Sequence, residues 1–154
     1  MRPCPHPVSA LLPHRSPMLL LDEIVSYDDT TLIAKIVISE ASLFLESGGV
    51  PSHVGLEYMA QACGALVGAM ALDAGLPVRI GFLLGTRRYR VYAPMFRLRE
   101  RLLVTVQSLY RDERSGAFDC RIEIGGERAA EAQLVVYQPD LSPTVSAGAE
   151  ALSP

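Results

Sequence analysis

Two side chains capable of acid–base chemistry, His53 and Glu57, lie four positions apart in an otherwise apolar segment. On a helix, positions i and i+4 share a face, with Cβ atoms about 5–6 Å apart. The rest of that face is apolar or small. A carboxylate in such surroundings either finds a partner or has its pKa raised by desolvation. Because general acid–base catalysis uses both outcomes, Glu57 and His53 are the candidate catalytic residues.

The composition restricts the class of protein. A chain of 154 residues has the length of one domain. Its 49% hydrophobic and 20% charged residues are typical of a compact protein. The net charge of −3 lacks the basic footprint of a nucleic-acid binder. We therefore expect no nucleic-acid partner.

The cysteines and apolar segments indicate the compartment. The three cysteines, Cys4, Cys63 and Cys120, have no metal-binding spacing, and Cys63 is expected to be a small core residue. No secretory signal is visible, since prolines interrupt the first residues. The apolar run over 62–71 is too short to span a bilayer. These features predict a cytoplasmic protein with no metal and no membrane association.

One long helix is the main element that must position Glu57. Pro51 suits a helix start, and Gly75 followed by Pro77 is a stop signal, so we predict a helix from about residue 51 to 74. Its many alanines and glycines would let it approach other backbone closely. Such a helix needs a sheet large enough to curl around it.

The remaining pattern is mostly alternating and therefore strand-like. Two strands are predicted before the helix and four or five after it, over 22–27, 31–38, 78–84, 87–92, 101–110, 117–124 and 127–137. The order predicts an α+β fold with an antiparallel sheet. The domain would cover 1–138, with an irregular start over 1–10 and a disordered tail over 139–154.

Three short motifs carry a resemblance to a known family. They are Leu-Pro-His-Arg-Ser-Pro-Met-Leu-Leu-Leu-Asp over 12–22, Glu-Tyr-Met-Ala-Gln-Ala over 57–62 and, more weakly, Ala-Ala-Glu-Ala-Gln-Leu over 129–134. With them the chain resembles the hot-dog-fold 3-hydroxyacyl-ACP dehydratases over roughly 10–137. Within that group it looks most like the dehydratase-like proteins of aryl-polyene gene clusters.

The resemblance implies a curved antiparallel sheet wrapped around one long central helix. It also implies a homodimer, or a heterodimer with a second hot-dog protein, with active sites in tunnels at the dimer interface. Glu57 would line such a mostly apolar tunnel. The substrate would be an acyl chain on the phosphopantetheine of acyl carrier protein, with no other cofactor, in fatty-acid or polyene-type synthesis.

Further residues are assigned to the substrate and the carrier. Ser52 at the helix start and the segment Gly81, Phe82 and Leu83 are predicted to bind substrate. The basic residues Arg87, Arg88 and Arg90 are predicted to dock the acidic carrier protein, since charge complementarity would steer the encounter. His14, in the first motif, is expected to have a structural role.

One position departs from the family. Its histidine lies fourteen residues before the helix carboxylate, where this chain has Leu43. We expect His53 to be the only histidine able to approach Glu57, and activity of the chain alone to be weak or absent. Three functions stay open: an active dehydratase, a non-catalytic subunit that binds carrier protein or completes a heterodimer with an active dehydratase, and a hot-dog thioesterase.

Overall fold

The computed structural model describes residues 1–139. In chain order its elements are β1 (Arg2–Pro3), α1 (Val8–Leu11), β2 (Glu23–Tyr27), β3 (Thr31–Val37), β4 (Gly49–Pro51), a 3₁₀ turn (Ser52–Val54), α2 (Gly55–Asp73), β5 (Phe82–Val91), β6 (Met95–Arg97), β7 (Arg101–Arg111), β8 (Ser115–Ile124) and β9 (Glu127–Tyr137). The 3₁₀ turn and α2 together form the predicted long helix.

Seven strands form one antiparallel sheet in the order β1-β2-β3-β7-β8-β9-β5. Buried and less buried residues alternate along β3, as expected when one face of a strand packs on a core. Across the centre of the sheet, Val104 of β7 lies opposite Ile122 of β8, and Ile122 lies opposite Ala130 of β9. All three side chains are fully buried. This face of the sheet packs around α2, which confirms the α+β hot-dog architecture.

Small residues of α2 lie where other backbone comes closest. A Cβ atom on Gly68 would lie 2.2 Å from the carbonyl oxygen of Leu11, the last residue of α1. By length and composition the segment Ser52–Asp73 could cross a bilayer, but 61% of its 18-residue apolar window is buried within the fold. It is therefore placed as the core helix of the domain.

The first ten residues are ordered, which corrects the prediction of an irregular start. Arg2 pairs with Tyr27 in the sheet, and its guanidinium lies 2.7 Å from Asp73 Oδ2 at the end of α2. The Tyr27 hydroxyl donates to the same carboxylate at 2.9 Å. These contacts hold the start of the chain on the far end of the helix. The predicted tail, except Pro139, lies outside the described residues.

Two strand predictions were also wrong in detail. The segments 78–84 and 87–92, expected as two strands, contribute to one strand, β5, with an irregular register between Arg87 and Arg90. The segment before the helix, where no strand was predicted, ends in β4, which pairs with β6 in a separate two-stranded sheet. That pairing joins segments far apart in sequence, so no local pattern announces it.

Candidate functional site

Gln61 of α2 is the polar residue around which the site is built. Only 1% of its surface is exposed, and its side-chain oxygen accepts the Leu20 N–H at 2.9 Å. Its side-chain nitrogen donates to the Met18 carbonyl at 2.7 Å and to Glu57 Oε1 at 3.2 Å. Gln61 therefore joins the two motifs that the sequence analysis singled out.

Glu57 lies in the first turn of α2, one turn before Gln61. Its side chain is 41% exposed in the isolated chain. The Nε2 atom of His14 lies 3.9 Å from Glu57 Oε1, within ion-pair distance when the imidazole is protonated. The prediction that His53 is the only histidine able to approach Glu57 is therefore wrong.

A small cavity of about 80 Å³ opens beside these side chains. Five of its lining side chains are polar: His14, Glu57, Gln61, Arg79 and Gln138. The rest is apolar or small, and the full set is Leu12, Pro13, His14, Glu57, Ala60, Gln61, Gly64, Arg79, Gly81, Leu83, Val136 and Gln138. Glu57 thus lies beside a cavity of mixed polar and apolar lining, and the apolar tunnel expected at a dimer interface stays a prediction.

His53 lies elsewhere, although it belongs to the same helical segment. It is exposed in the 3₁₀ turn and is absent from the lining of the cavity. No hydrogen bond or ion pair joins His53 to Glu57 within residues 1–139. His53 lies in the 3₁₀ turn and Glu57 in α2, so the two residues do not belong to one regular α-helix, which the prediction assumed.

The start of the helix is fixed by Tyr89 of β5. Its hydroxyl donates to the carbonyl oxygen of Ser52 and lies close to Gly55, where a Cβ would be 2.9 Å from it. Burial raises the pKa of Tyr89 to about 12, so its hydroxyl keeps its proton at physiological pH. Ser52 does not line the cavity, and its carbonyl serves this structural contact.

The predicted substrate segment is divided by the alternation of β5. Gly81 and Leu83 line the cavity, whereas Phe82 does not and is 53% exposed. Successive side chains of a strand point to opposite faces, which explains the division. The role of Gly81 and Leu83 in substrate binding stays a prediction, and Phe82 lies outside the cavity of the isolated chain.

The three predicted docking arginines are exposed on β5. Arg88 and Arg90 line a second cavity, of about 320 Å³, together with Arg121 and Arg128. Its polar lining residues on the neighbouring strands, such as Gln107, Asp119 and Gln133, alternate with core residues, so it lies on the face of the sheet opposite α2. Arg87 is not part of this lining.

Two further positions matter for the chemistry. Leu43, which replaces the family histidine, is partly buried and packs against the core. Cys63 is fully buried, 3.6 Å from the sulfur of Cys120, which confirms its assignment to the core.

Within residues 1–139, no group of three or more His, Cys, Asp or Glu side chains is placed to hold a metal ion.

Comparison with known proteins decides the family. A sequence profile of the ApeP-like family, described as ApeP dehydratase, matches residues 6–147. This chain belongs to the ApeP-like dehydratase family. Two relatives named 3-hydroxyacyl-[acyl-carrier-protein] dehydratase FabZ are similar to it. The one from Chlamydia caviae is 30% identical over 131 residues, 80% of this chain and 84% of the relative. The one from Brucella ovis is 30% identical over 133 residues, which are 81% of this chain and 82% of the relative.

The solved structures agree with the family. The dehydratase heterocomplex ApeI:P from Xenorhabdus doucetiae contains a chain with a TM-score of 0.85 and 27% identity, covering 92% of this ApeP-like chain and 97% of that one. A hypothetical thioesterase protein from Streptococcus pneumoniae shares the fold alone, with a TM-score of 0.60 and 14% identity. The match covers 76% of this chain and 84% of that one. The ApeP-like protein is therefore dehydratase-like, and the thioesterase alternative is not favoured.

His14 is the site residue whose contact with Glu57 the sequence analysis missed. The sequence feature that could have indicated this contact is the place of His14 in the first motif. Hydrogen bonds between Gln61 and the backbone of Met18 and Leu20 bring that motif against α2. Only the tertiary contact distinguishes this histidine from a structural one.

Proposed function

We propose that this ApeP-like chain is a subunit of a heterodimeric dehydratase that removes water from 3-hydroxyacyl thioesters carried on acyl carrier protein in polyene-type synthesis. The observation that carries the proposal is the Glu57 carboxylate, fixed by Gln61 beside a cavity that opens next to the unpaired edge of β5. The similarity to FabZ dehydratases supports the reaction.

The chemistry required is a proton transfer at each of two neighbouring carbons. A base must take a proton from C2, and an acid must protonate the hydroxyl that leaves C3. Glu57 can act as that acid, because its Oε1 accepts a hydrogen bond from Gln61 and its Oε2 is left to carry a proton. The apolar part of the cavity lining, which includes Leu83 and Val136, would exclude water from the reacting carbons once a partner subunit covers the open side of the cavity.

The edge of β5 supports a second subunit. β5 is the last strand of the sheet and pairs with β9 on one side alone. It exposes apolar side chains, with Phe82 at 53%, Leu83 at 41% and Leu84 at 63%. A long exposed edge of this kind is a template for pairing with another chain. Since Leu83 also lines the cavity, a strand added to β5 would complete its wall.

The similar ApeI:P heterocomplex favours a second hot-dog protein as the chain that pairs with β5. The similar structure is a complex of two different proteins, ApeI and ApeP. We therefore expect the partner of this chain to be a different hot-dog protein, with the homodimer as the alternative outcome. The activity of the chain alone would be weak because its cavity lacks the partner's wall.

The arginines of the outer face support carrier-protein docking. Arg121 pairs with Glu123 at 2.8 Å, and Arg128 pairs with Glu131 at 2.7 Å. No salt bridge to Arg87, Arg88 or Arg90 forms within residues 1–139. Arg88 and Arg90 thus add positive charge to the outer face of β5, although Glu131 lies opposite Arg90 and offsets part of it. The remaining charge suits an acidic carrier.

The test combines an activity assay with a charge-reversal series. The chain is mixed with a second hot-dog protein similar to ApeI and given a 3-hydroxyacyl thioester on carrier protein, and loss of water is followed by mass. We expect dehydration by the mixture and little by either protein alone. Full activity with Glu57→Gln, or no dehydration by any combination, contradicts the proposal. The second result would instead favour a non-catalytic carrier-binding subunit.

The docking proposal has its own readout. The double variant Arg88→Glu/Arg90→Glu should raise KM for the carrier-bound substrate and leave KM for a free pantetheine thioester unchanged, because only the carrier meets these charges. Arg101→Glu, an exposed arginine of β7 outside the cavity, is the matched control. Equal effects of both variants on both substrates would exclude specific docking there.

A further inference from the structure

We propose that His14 is the catalytic base of the Glu57 site and takes the place of the histidine that the chain lacks at position 43. This inference rests on the proposed dehydratase function and adds the missing half of its acid–base pair. It differs from the sequence-based expectation, which gave His14 a structural role and His53 the catalytic one.

The position of His14 suits a base. Its Nε2 atom lies 3.9 Å from Glu57 Oε1, and both side chains line the same cavity. The Nδ1 atom is enclosed and has no hydrogen-bond partner within the described residues. Nε2 is therefore the ring nitrogen that can exchange a proton at the cavity.

The segment that carries His14 is fixed by local hydrogen bonds and by contacts with α2. The Arg15 guanidinium donates to the carbonyl oxygens of Pro13 at 3.2 Å and of His14 itself at 3.0 Å. Gln61 holds the backbone of Met18 and Leu20 farther along. The imidazole thus approaches Glu57 from a fixed segment outside α2, so a substrate can contact both groups from the cavity.

Gln61 also decides which oxygen of Glu57 can carry the acidic proton. Because the Gln61 oxygen accepts the Leu20 N–H, the amide orientation is set and its nitrogen must face Met18 and Glu57. Glu57 Oε1 is then a hydrogen-bond acceptor. A proton on the carboxyl group accordingly resides on Oε2 and is the one available for transfer.

The resulting step is balanced within this chain. The Nε2 lone pair of neutral His14 takes the proton from C2, and the C2–H electrons form the C2=C3 double bond. The C3–O bond breaks, and the hydroxyl leaves as water with the proton from Glu57 Oε2. The step leaves an imidazolium and a carboxylate at ion-pair distance, and return of the proton from His14 to Glu57 restores both groups.

One other charged group lines the cavity of this pair. Arg79 lines the cavity, and its guanidinium donates to the carbonyl oxygen of Glu113 at 2.7 Å and to Gln138 Oε1 at 3.3 Å. These contacts fix the guanidinium in place, and it adds a positive charge to the cavity lining.

The test uses the complex of this chain with its hot-dog partner and a 3-hydroxyacyl pantetheine thioester. We expect His14→Ala and His14→Gln to lower kcat by about 10²–10⁴-fold, the usual contribution of a general base, with a much smaller change in KM. Added imidazole should restore part of the kcat of His14→Ala and none of that of Glu57→Gln. Thermal melting of each variant shows whether the fold is kept.

His53→Ala is the comparison variant, since His53 is exposed and one turn from Glu57 in sequence. Normal kcat in both folded His14 variants overturns the inference but leaves the proposed function standing. A loss of kcat in His53→Ala that imidazole rescues would assign the base to His53 instead. If kcat falls when a histidine of the partner is replaced and does not fall when His14 is replaced, the base belongs to the partner. An inactive wild-type complex overturns the proposed function and this inference together.

Discussion

Glu57 and Gln61 lie one turn apart on α2, and the side-chain nitrogen of Gln61 stands 3.2 Å from Glu57 Oε1. The same amide binds the backbone of the segment that carries His14. A single buried side chain thus sets the position of the carboxylate and of the loop facing it. The geometry of the site and the stability of the fold are therefore coupled at Gln61.

We expect Gln61→Met to lower both stability and activity. Methionine has a similar volume but cannot pair with the Leu20 N–H or the Met18 carbonyl, and buried groups left unpaired cost about 1–3 kcal/mol. The free energy of unfolding in urea measures this loss. Gln107→Met, at an exposed position of β7, is the control and should change stability little. Equal stability of the two variants would contradict the coupling.

We expect Gly68→Ala to destabilise the protein, because its Cβ would lie 2.2 Å from the backbone oxygen of Leu11. Overpacking against backbone typically costs about 1–3 kcal/mol. Gly64→Ala is the matched control, since its Cβ would meet only the end of the Leu12 side chain at 2.9 Å. That side chain can move, and alanine favours a helix over glycine by about 1 kcal/mol. Thermal denaturation should separate the two variants clearly, and similar midpoints would refute the close contact.

We expect Asp73 to contribute stability that is lost in acid. The hydrogen bond from the Arg2 guanidinium, and then that from the Tyr27 hydroxyl, lower the pKa of the Asp73 carboxyl below its ordinary 3.8. A lowered folded-state pKa means that the contribution is complete above the unfolded pKa and disappears as pH falls through the folded value. The stability difference between wild type and Asp73→Asn should be constant near neutral pH and shrink below about pH 4.

The matched control for Asp73 is Asp29→Asn, an exposed aspartate of the turn after β2. Its removal changes the net charge equally but breaks no contact with the start of the chain. Urea unfolding from pH 7 to pH 3 compares the variants. If the stability difference between wild type and Asp73→Asn grew in acid, the expected loss of the Asp73 contribution at low pH would be contradicted.

We expect only one thiol to react in the folded protein. Cys4 is partly exposed, whereas Cys63 and Cys120 are buried with their sulfurs 3.6 Å apart. Burial and the contact with Cys120 raise the pKa of the Cys63 thiol well above its ordinary value, so little reactive thiolate forms. Labelling with a thiol reagent should give one rapid equivalent, lost in Cys4→Ser, and three after unfolding. Rapid native labelling of Cys63 would place that thiol outside the core.

Local signals in the sequence were sufficient for the main elements. Proline and glycine mark the ends of a helix through their backbone preferences, so the helix expected over 51–74 closely matches the helical segment Ser52–Asp73. The last strand, expected over 127–137, is β9 with the same bounds, because a glycine pair sets the hairpin before it. The motifs also carried the family and the hot-dog fold.

The sequence by itself thus determined the helix, most strands and the choice of Glu57 as the candidate carboxylate. The pairing of β4 with β6, the order at the start of the chain and the placement of His14 beside Glu57 were decided by tertiary structure alone. The physical reason is shared by all three. Each depends on contacts between segments distant in sequence, and the periodicity of one segment carries no information about which other segment will pack against it.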